Sequence, residues 1–161
     1  MAPTPINPTS RYVPEGVRKV YWMPTVASYT TGATRTEINA GLDLTNEIAD
    51  LTGWTVATNQ MEVPDLANRF AGKIPGQITA ADSSLIFYAD STSNDIRTVL
   101  PRDTAGYVGL LWEGDTSGRK YDLFPVKVAS SSIQPNTLDP EKIEVAFSLT
   151  KVPAQNLTVP P

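Results

Sequence analysis

The chain has no histidine and no cysteine among its 161 residues. Without histidine, the usual general base for a Ser, Cys or Thr nucleophile is missing. Without cysteine there is no disulfide framework, so the sequence does not read as a small secreted domain. Structural zinc is set aside too, because it wants thiolate or imidazole and only carboxylates remain. No apolar run approaches the ~20 residues that span a bilayer. The N-terminus lacks the basic-then-apolar layout of a signal peptide, so no membrane insertion is expected. Excess positive charge is also lacking: the net charge is −4 and the pI about 4.8. Proteins that grip phosphates usually carry a basic face, so specific nucleic-acid binding is not expected.

What is present is a globular composition, 40% hydrophobic and 19% charged, with 14 prolines. The prolines sit at the two ends and at segment boundaries, which suits short strands between fixed turns. The length fits one domain with a proper core. The clearest local signal lies at 141–149. Ile143, Val145, Phe147 and Leu149 share one face of a strand, and Glu144, Ala146, Ser148 and Thr150 share the other. Segment 121–129 repeats this less strictly, with Phe124, Val126 and Val128 opposite Lys127. The stretch between them is rich in Ser, Pro, Asn and Asp and reads as a loop. Together they predict an antiparallel pair with a polar outer face.

Along the rest of the chain, residues 1–16 hold Pro3, Pro5, Pro8 and Pro14 and read as an extended arm, with Tyr12 and Val13 as its anchors. The single domain is expected over 17–151, followed by a Pro-rich tail at 152–161. Strands are expected at 17–26, 35–40, 54–63, 69–79 (broken by a tight turn at Gly72, Pro75 and Gly76), 84–89, 105–113 and 119–129. Segment 84–89 is apolar on both faces, so a twice-covered central strand is expected there. Segment 41–53 reads as a short helical turn or structured loop capped by Asp43 or Thr45. The one real helix is expected to start at Ser93-Asn94-Asp95, with Ile96, Val99 and Leu100 as its apolar stripe and Pro101 ending it. Trp22, Trp54 and Trp112 are expected in the core rather than on a sugar-binding platform.

Motifs that carry chemistry fail on inspection. The Ser117–Lys120 and Ser148–Lys151 pairs have Ser-x-x-Lys spacing without companion motifs, and the second lies on a strand, where residues three apart face opposite ways. Gly114 to Lys120 is two residues short of a phosphate loop. Asp90, Thr92, Asn94 and Asp95 resemble a calcium loop only in part, with no Gly at the sixth position and no Glu at the twelfth. Glu113 and Asp115 could supply a carboxylate pair, but nothing in the sequence shows a shared cleft. The sequon at Asn156-Leu157-Thr158 is read as chance. No enzyme activity and no cofactor or metal are expected.

The ordered set of features does resemble a known family. It runs through Arg35-Thr36-Glu37-Ile38, Gly41, Asp43-Leu44-Thr45, Gly53-Trp54, the Gly72 and Gly76 turn, and Ser84-Leu85-Ile86-Phe87-Tyr88. It continues through Asp95-Ile96-Arg97 and Phe124-Pro125-Val126-Lys127-Val128 to the alternating strand at 143–149. In this order the chain resembles the major tail tube proteins of long-tailed, siphovirus-type bacteriophages, particularly those infecting actinobacteria. The resemblance implies a mainly β fold, a β-sandwich or partial barrel with one short flanking α-helix. It implies a structural virion protein that assembles in the host cytoplasm as hexameric rings stacked into a tube, the conduit for DNA. Implied partners are other copies of the chain, a tape measure protein, and tail tip and terminator proteins. Double-stranded DNA would pass transiently without specific binding.

Within that picture, Lys127, Glu144, Ser148 and Thr150 are the expected lumen-facing residues, with a Lys127–Glu144 salt bridge across the strand pair. Tyr12, Val13, Tyr29, Asp43 and Thr45 are the expected ring-stacking or inter-subunit residues. Three other readings compete: the inner tube of a contractile tail or injection machine, a capsid decoration or receptor-binding β-domain, and an enzyme using paired carboxylates.

Overall fold

The computed structural model describes residues 16–67, 69–90 and 96–161. The arm residues Tyr12 and Val13 lie outside them, as does the expected helix start at Ser93-Asn94-Asp95. The architecture is mainly β, as expected. Ten strands follow in chain order: β1 (Lys19–Met23), β2 (Leu42–Asp43), β3 (Ile48–Thr52), β4 (Val56–Val63), β5 (Gly72–Ala80), β6 (Ser83–Tyr88), β7 (Ala105–Leu111), β8 (Lys120–Gln134), β9 (Lys142–Leu149) and β10 (Ala154–Thr158). Helix α1 spans Arg35–Ala40 and α2 spans Ile96–Val99.

Eight strands form one antiparallel sheet in the order β2-β1-β7-β8-β9-β6-β3, with β10 added alongside β8. The end strands β2 and β3 are consecutive in the chain, joined through a 3-10 turn at Thr45–Glu47. At that junction Leu44 N–H donates to the Val20 carbonyl at 3.0 Å and Val20 N–H donates to Thr45 Oγ1 at 3.1 Å. The sheet therefore curls until its two ends are tied, and the inside is the core. Trp22, Leu85, Phe87, Val108, Phe124, Val126, Val145 and Phe147 meet there. Phe147, Val145 and Ile143 point inward from β9, as the alternation requires.

A second, smaller core covers the outer face of β1, β7 and β8. Met23, Leu111, Tyr121 and Leu123 pack there against Val26, Ala33, Ile38 and Val159. The strands buried on both faces are thus β7 and β8, not β6, which hides Ser83, Leu85 and Phe87 and leaves Tyr88 exposed. Gly106 is required by the inner core: a Cβ there would lie 2.4 Å from the Trp22 ring. All three tryptophans pack inward or half-inward, and Trp112 donates its indole N–H to Asp122 at 2.8 Å.

Several local expectations are corrected. Residues 35–40 form a helix, not a strand. Thr34 is its N-cap, and Glu37 completes a capping box by accepting from the Thr34 N–H at 2.7 Å. Glu37 also accepts from Ala27 N–H at 2.7 Å, and these backbone donors hold its carboxyl below the usual range. Ser130 to Gln134 extend β8 and are not loop, so the β8–β9 connection is only 135–141. Segment 72–80 is one continuous strand with a register shift, not a broken one. The Pro-rich end, read as a tail, contributes β10.

Strands β9 and β10 lie end to end along the same edge of β8. Pro125 sits where that edge passes from one to the other, between Leu123, paired with Ala154, and Val126, paired with Leu149. A residue with no N–H is tolerated there because no ladder bond is asked of it on that side.

Candidate assembly surfaces

Burying every second residue of β8 and β9 leaves the alternate residues on the outside. Lys127 lies directly opposite Ser148, and Glu144 opposite Ser132. Ser130 and Ser132 continue the same outer face, and Ser84 on β6 neighbours Ala146. The result is a wall of mainly polar side chains, interrupted by Ala146 and Ile86, with Lys142 at its end. Ser130 and Ser132 were missed because their run of serines resembles a loop.

Lys127 does not pair with Glu144. Its ammonium lies 2.8 Å from the Asp103 carboxylate, while Glu144 accepts from Gln134 Nε2 at 2.8 Å. The register explains this, since Lys127 faces Ser148 and the Glu144 position is several residues further along β8. The Lys127 ammonium beside Asp103 holds that carboxyl below its ordinary value. Thr150 sits past the end of β9, where its N–H and its hydroxyl both donate to the Pro125 carbonyl, at 3.0 and 3.3 Å.

The expected stacking residues are spread apart. Tyr29 is half-buried against Tyr107, ring centroids 6.2 Å apart, with the Lys151 ammonium 5.4 Å from its ring. Asp43 and Thr45 bond to each other and tie β2 to β1, with Lys19 also 3.7 Å from Asp43. Nearby, Arg35 clasps Asp115 with a second contact at 2.9 Å, and the Tyr21 hydroxyl donates to Asp115 at 3.1 Å. That hydrogen bond from Arg35 keeps the Asp115 carboxyl below its usual range. Burial and the adjacent carboxylate push Tyr21 up to about 12.

One exposed apolar surface was not anticipated. Strands β4 and β5 pair with each other in a two-stranded sheet of their own. Met61 lies opposite Ile74 and Val63 opposite Gly72, so Met61, Val63 and Ile74 share one face. They are 59%, 46% and 52% exposed. The other face is polar there, with Gln60 beside Pro75 and a Glu62–Lys73 ion pair at 3.7 Å. Leu66 and Phe70, beyond the strand ends, are also exposed. The register shift beyond Thr58 moves Ile78 to the opposite face and hides the alternation from a reading of the sequence.

This ribbon is held firmly at its base. Gly53 and Trp54 both adopt positive φ, and a Cβ on Gly53 would lie 2.1 Å from the Asp82 carbonyl oxygen. Trp54 tolerates that backbone because its N–H donates to Ser83 Oγ at 3.1 Å and its indole to the Ser84 carbonyl at 3.0 Å. Its ring meets Phe124 edge-on at 5.2 Å.

A concave apolar surface lies elsewhere. Leu42, Leu44, Phe87, Tyr88, Ile96 and Val99 line a groove of about 320 Å³. Of these, Leu42, Tyr88 and Val99 are large hydrophobics left exposed. No group of carboxylates that could hold a metal occurs among the described residues.

A protein-family model described as "Phage tail tube protein" matches residues 5–161. The chain belongs to the phage tail tube protein family. No curated protein matched the sequence. Membership makes this tail tube protein a structural component of the virion tail, one that assembles with copies of itself into a tube and contacts other tail proteins. It also accounts for a chain whose notable surfaces are sheets and patches rather than clefts. None of the described helices is long and apolar enough to cross a membrane.

Proposed function

We propose that this tail tube protein closes into hexameric rings, that the rings stack, and that the polar outer face of β8, β9 and β6 lines the lumen through which double-stranded DNA leaves the particle. The observation that carries the lumen assignment is the wall itself: Ser130, Ser132 and Ser148 are short and polar, Glu144 is acidic, and of the two lysines on this face Lys127 is neutralised by Asp103 while Lys142 stands at the far end of the wall, opposite Gln134. Such a surface offers phosphates few cations, and the acidic chain adds a general repulsion. A large barrel with alternating core-facing and channel-facing residues has this character. Ring closure through a head-to-tail contact between identical subunits removes exposed strand edges. The chain would assemble in the host cytoplasm around a tape measure protein and end at tip and terminator proteins.

Electron microscopy of the purified protein tests the assembly, with rings or tubes expected and a uniformly monomeric sample overturning it. The lumen assignment is tested by reversing charge at Glu144→Lys in the phage. Tails should form in normal number while DNA delivery falls at least tenfold. Undiminished delivery would remove Glu144 from the channel wall.

A further inference from the structure

Among the described residues two apolar surfaces stand open, the outer face of the β4–β5 ribbon and the Leu42–Tyr88–Val99 groove, and β6 runs from the base of the first to the second. β6 leaves the base of the β4–β5 ribbon at Ser83, where Trp54 anchors it, and ends at Phe87 and Tyr88 in the wall of the groove. At about 3.4 Å per residue, β6 runs roughly 17 Å from the ribbon's base to the groove, and Met61, Val63 and Ile74 lie toward the end of the ribbon away from that base. A two-stranded ribbon with one exposed apolar face is marginal by itself and is stabilised by packing against something. The groove presents the matching chemistry. Its floor is apolar, and its described lining includes Glu47 and Asp90 together with Asp43, which has Lys19 3.7 Å away. Beyond its strand ends the ribbon carries Arg69 as well as Asp65, while Lys73 is paired with Glu62.

We infer that the β4–β5 ribbon of one copy lays Met61, Val63 and Ile74 into the Leu42–Tyr88–Val99 groove of the next copy, with Arg69 meeting the acidic rim at Glu47. This rests on the tube-forming function proposed above and names the contact that propagates it. Donor and acceptor are different patches of one chain, so the contact is heterologous and repeats without limit unless it closes. Because donor and acceptor are separate parts of each copy, every added copy presents a fresh groove or a fresh ribbon, and the assembly has a direction.

The absence of cysteine gives a clean test. Met61→Cys and Val99→Cys are placed singly and together, and the assembled proteins are treated with a short bismaleimide. The double variant should give a ladder of covalent multimers. A mixture of the two single variants should give a dimer band and nothing larger, and each single variant alone should stay monomeric on the gel. Self-crosslinking of Met61→Cys alone would overturn the inference, because ribbon would then meet ribbon. So would tubes visible by microscopy with no crosslink in the double variant, a result that leaves the tube function standing. Absence of any tube or ring would instead sink that function itself. As a second measurement, Glu47→Arg and Arg69→Glu should each cut multimer yield at least tenfold, and combining them should restore it. Failure of the combination to restore yield, with both single variants folded, would overturn the rim contact.

Discussion

Strands β7, β8 and β9 and the ribbon β4–β5 are built from similar material and treated in opposite ways. In the first group Val108, Leu110, Phe124, Val126, Val145 and Phe147 are essentially hidden, and two cores cover β7 and β8 from both sides. In the second, Met61, Val63 and Ile74 stand in water. The difference is not one of hydrophobicity but of what lies opposite. The sheet curls and supplies its own cover, whereas the ribbon leaves the body of the fold at Gly53 and Trp54 and finds no cover among the described residues. Apolar residues on β8 are therefore assigned to stability, and those on the ribbon to assembly.

Substitutions that cross this divide break or sharpen the contrast. The largest effect is expected for Phe124→Ala, which removes a fully buried ring touching Trp54. It should cost about 3–5 kcal/mol of unfolding free energy in denaturant titration. A cost under about 1 kcal/mol would mean that the inner core is not what holds the fold.

The Arg35–Asp115 clasp, which joins α1 to the β7–β8 turn, should give a smaller and pH-dependent effect. Asp115 has its carboxyl pKa lowered in the folded protein. Its contribution is then present above the ordinary carboxylate pKa of about 4 and is lost as pH falls through the folded value. Between pH 7 and pH 3 the melting temperature of the parent protein should fall further than that of Asp115→Asn. Parallel profiles would show that the clasp contributes nothing.

The smallest effect on the isolated subunit is expected for Ile74→Ser. An exposed substitution of this kind should change unfolding free energy by no more than about 0.5 kcal/mol. The same variant should shorten or abolish tubes in micrographs. If it unfolds the subunit instead, the ribbon is part of the core's support and the contrast fails.

How much of this was legible in the sequence depended on whether local pattern and tertiary role agreed. The strand at β9 was readable because Ile143, Val145 and Phe147 alternate without interruption and face one core. The buried tryptophans were readable for the same reason. Helix α1 was misread as a strand although Thr34 and Glu37 spell a capping box, because only Ile38 among its residues is buried and the apolar stripe is nearly absent. The β10 segment reads as a tail because Pro153, Pro160 and Pro161 crowd its two sides, although the chain resumes pairing with β8 between them. The assembly surfaces were the least legible. The ribbon's register shift separates Ile74 from Ile78, and the groove gathers Leu42, Tyr88 and Val99 from three distant segments that only the curled sheet brings together. Lys127 and Ser148 were found as candidates because their strands were found, while the neighbours that neutralise Lys127 depended on a register no sequence pattern reveals.

The indole of Trp54 occupies the joint from which the ribbon springs, edge-on to Phe124 and bonded to Ser84. The protein thus carries its own optical gauge at that hinge. A ribbon that swings on docking must disturb this ring, shifting its fluorescence toward longer wavelength as water reaches it. A ribbon that docks as a rigid peg leaves the emission of Trp54 unchanged, so a spectrum recorded during polymerisation, with Trp22 and Trp112 replaced by Phe, distinguishes a moving latch from a fixed one.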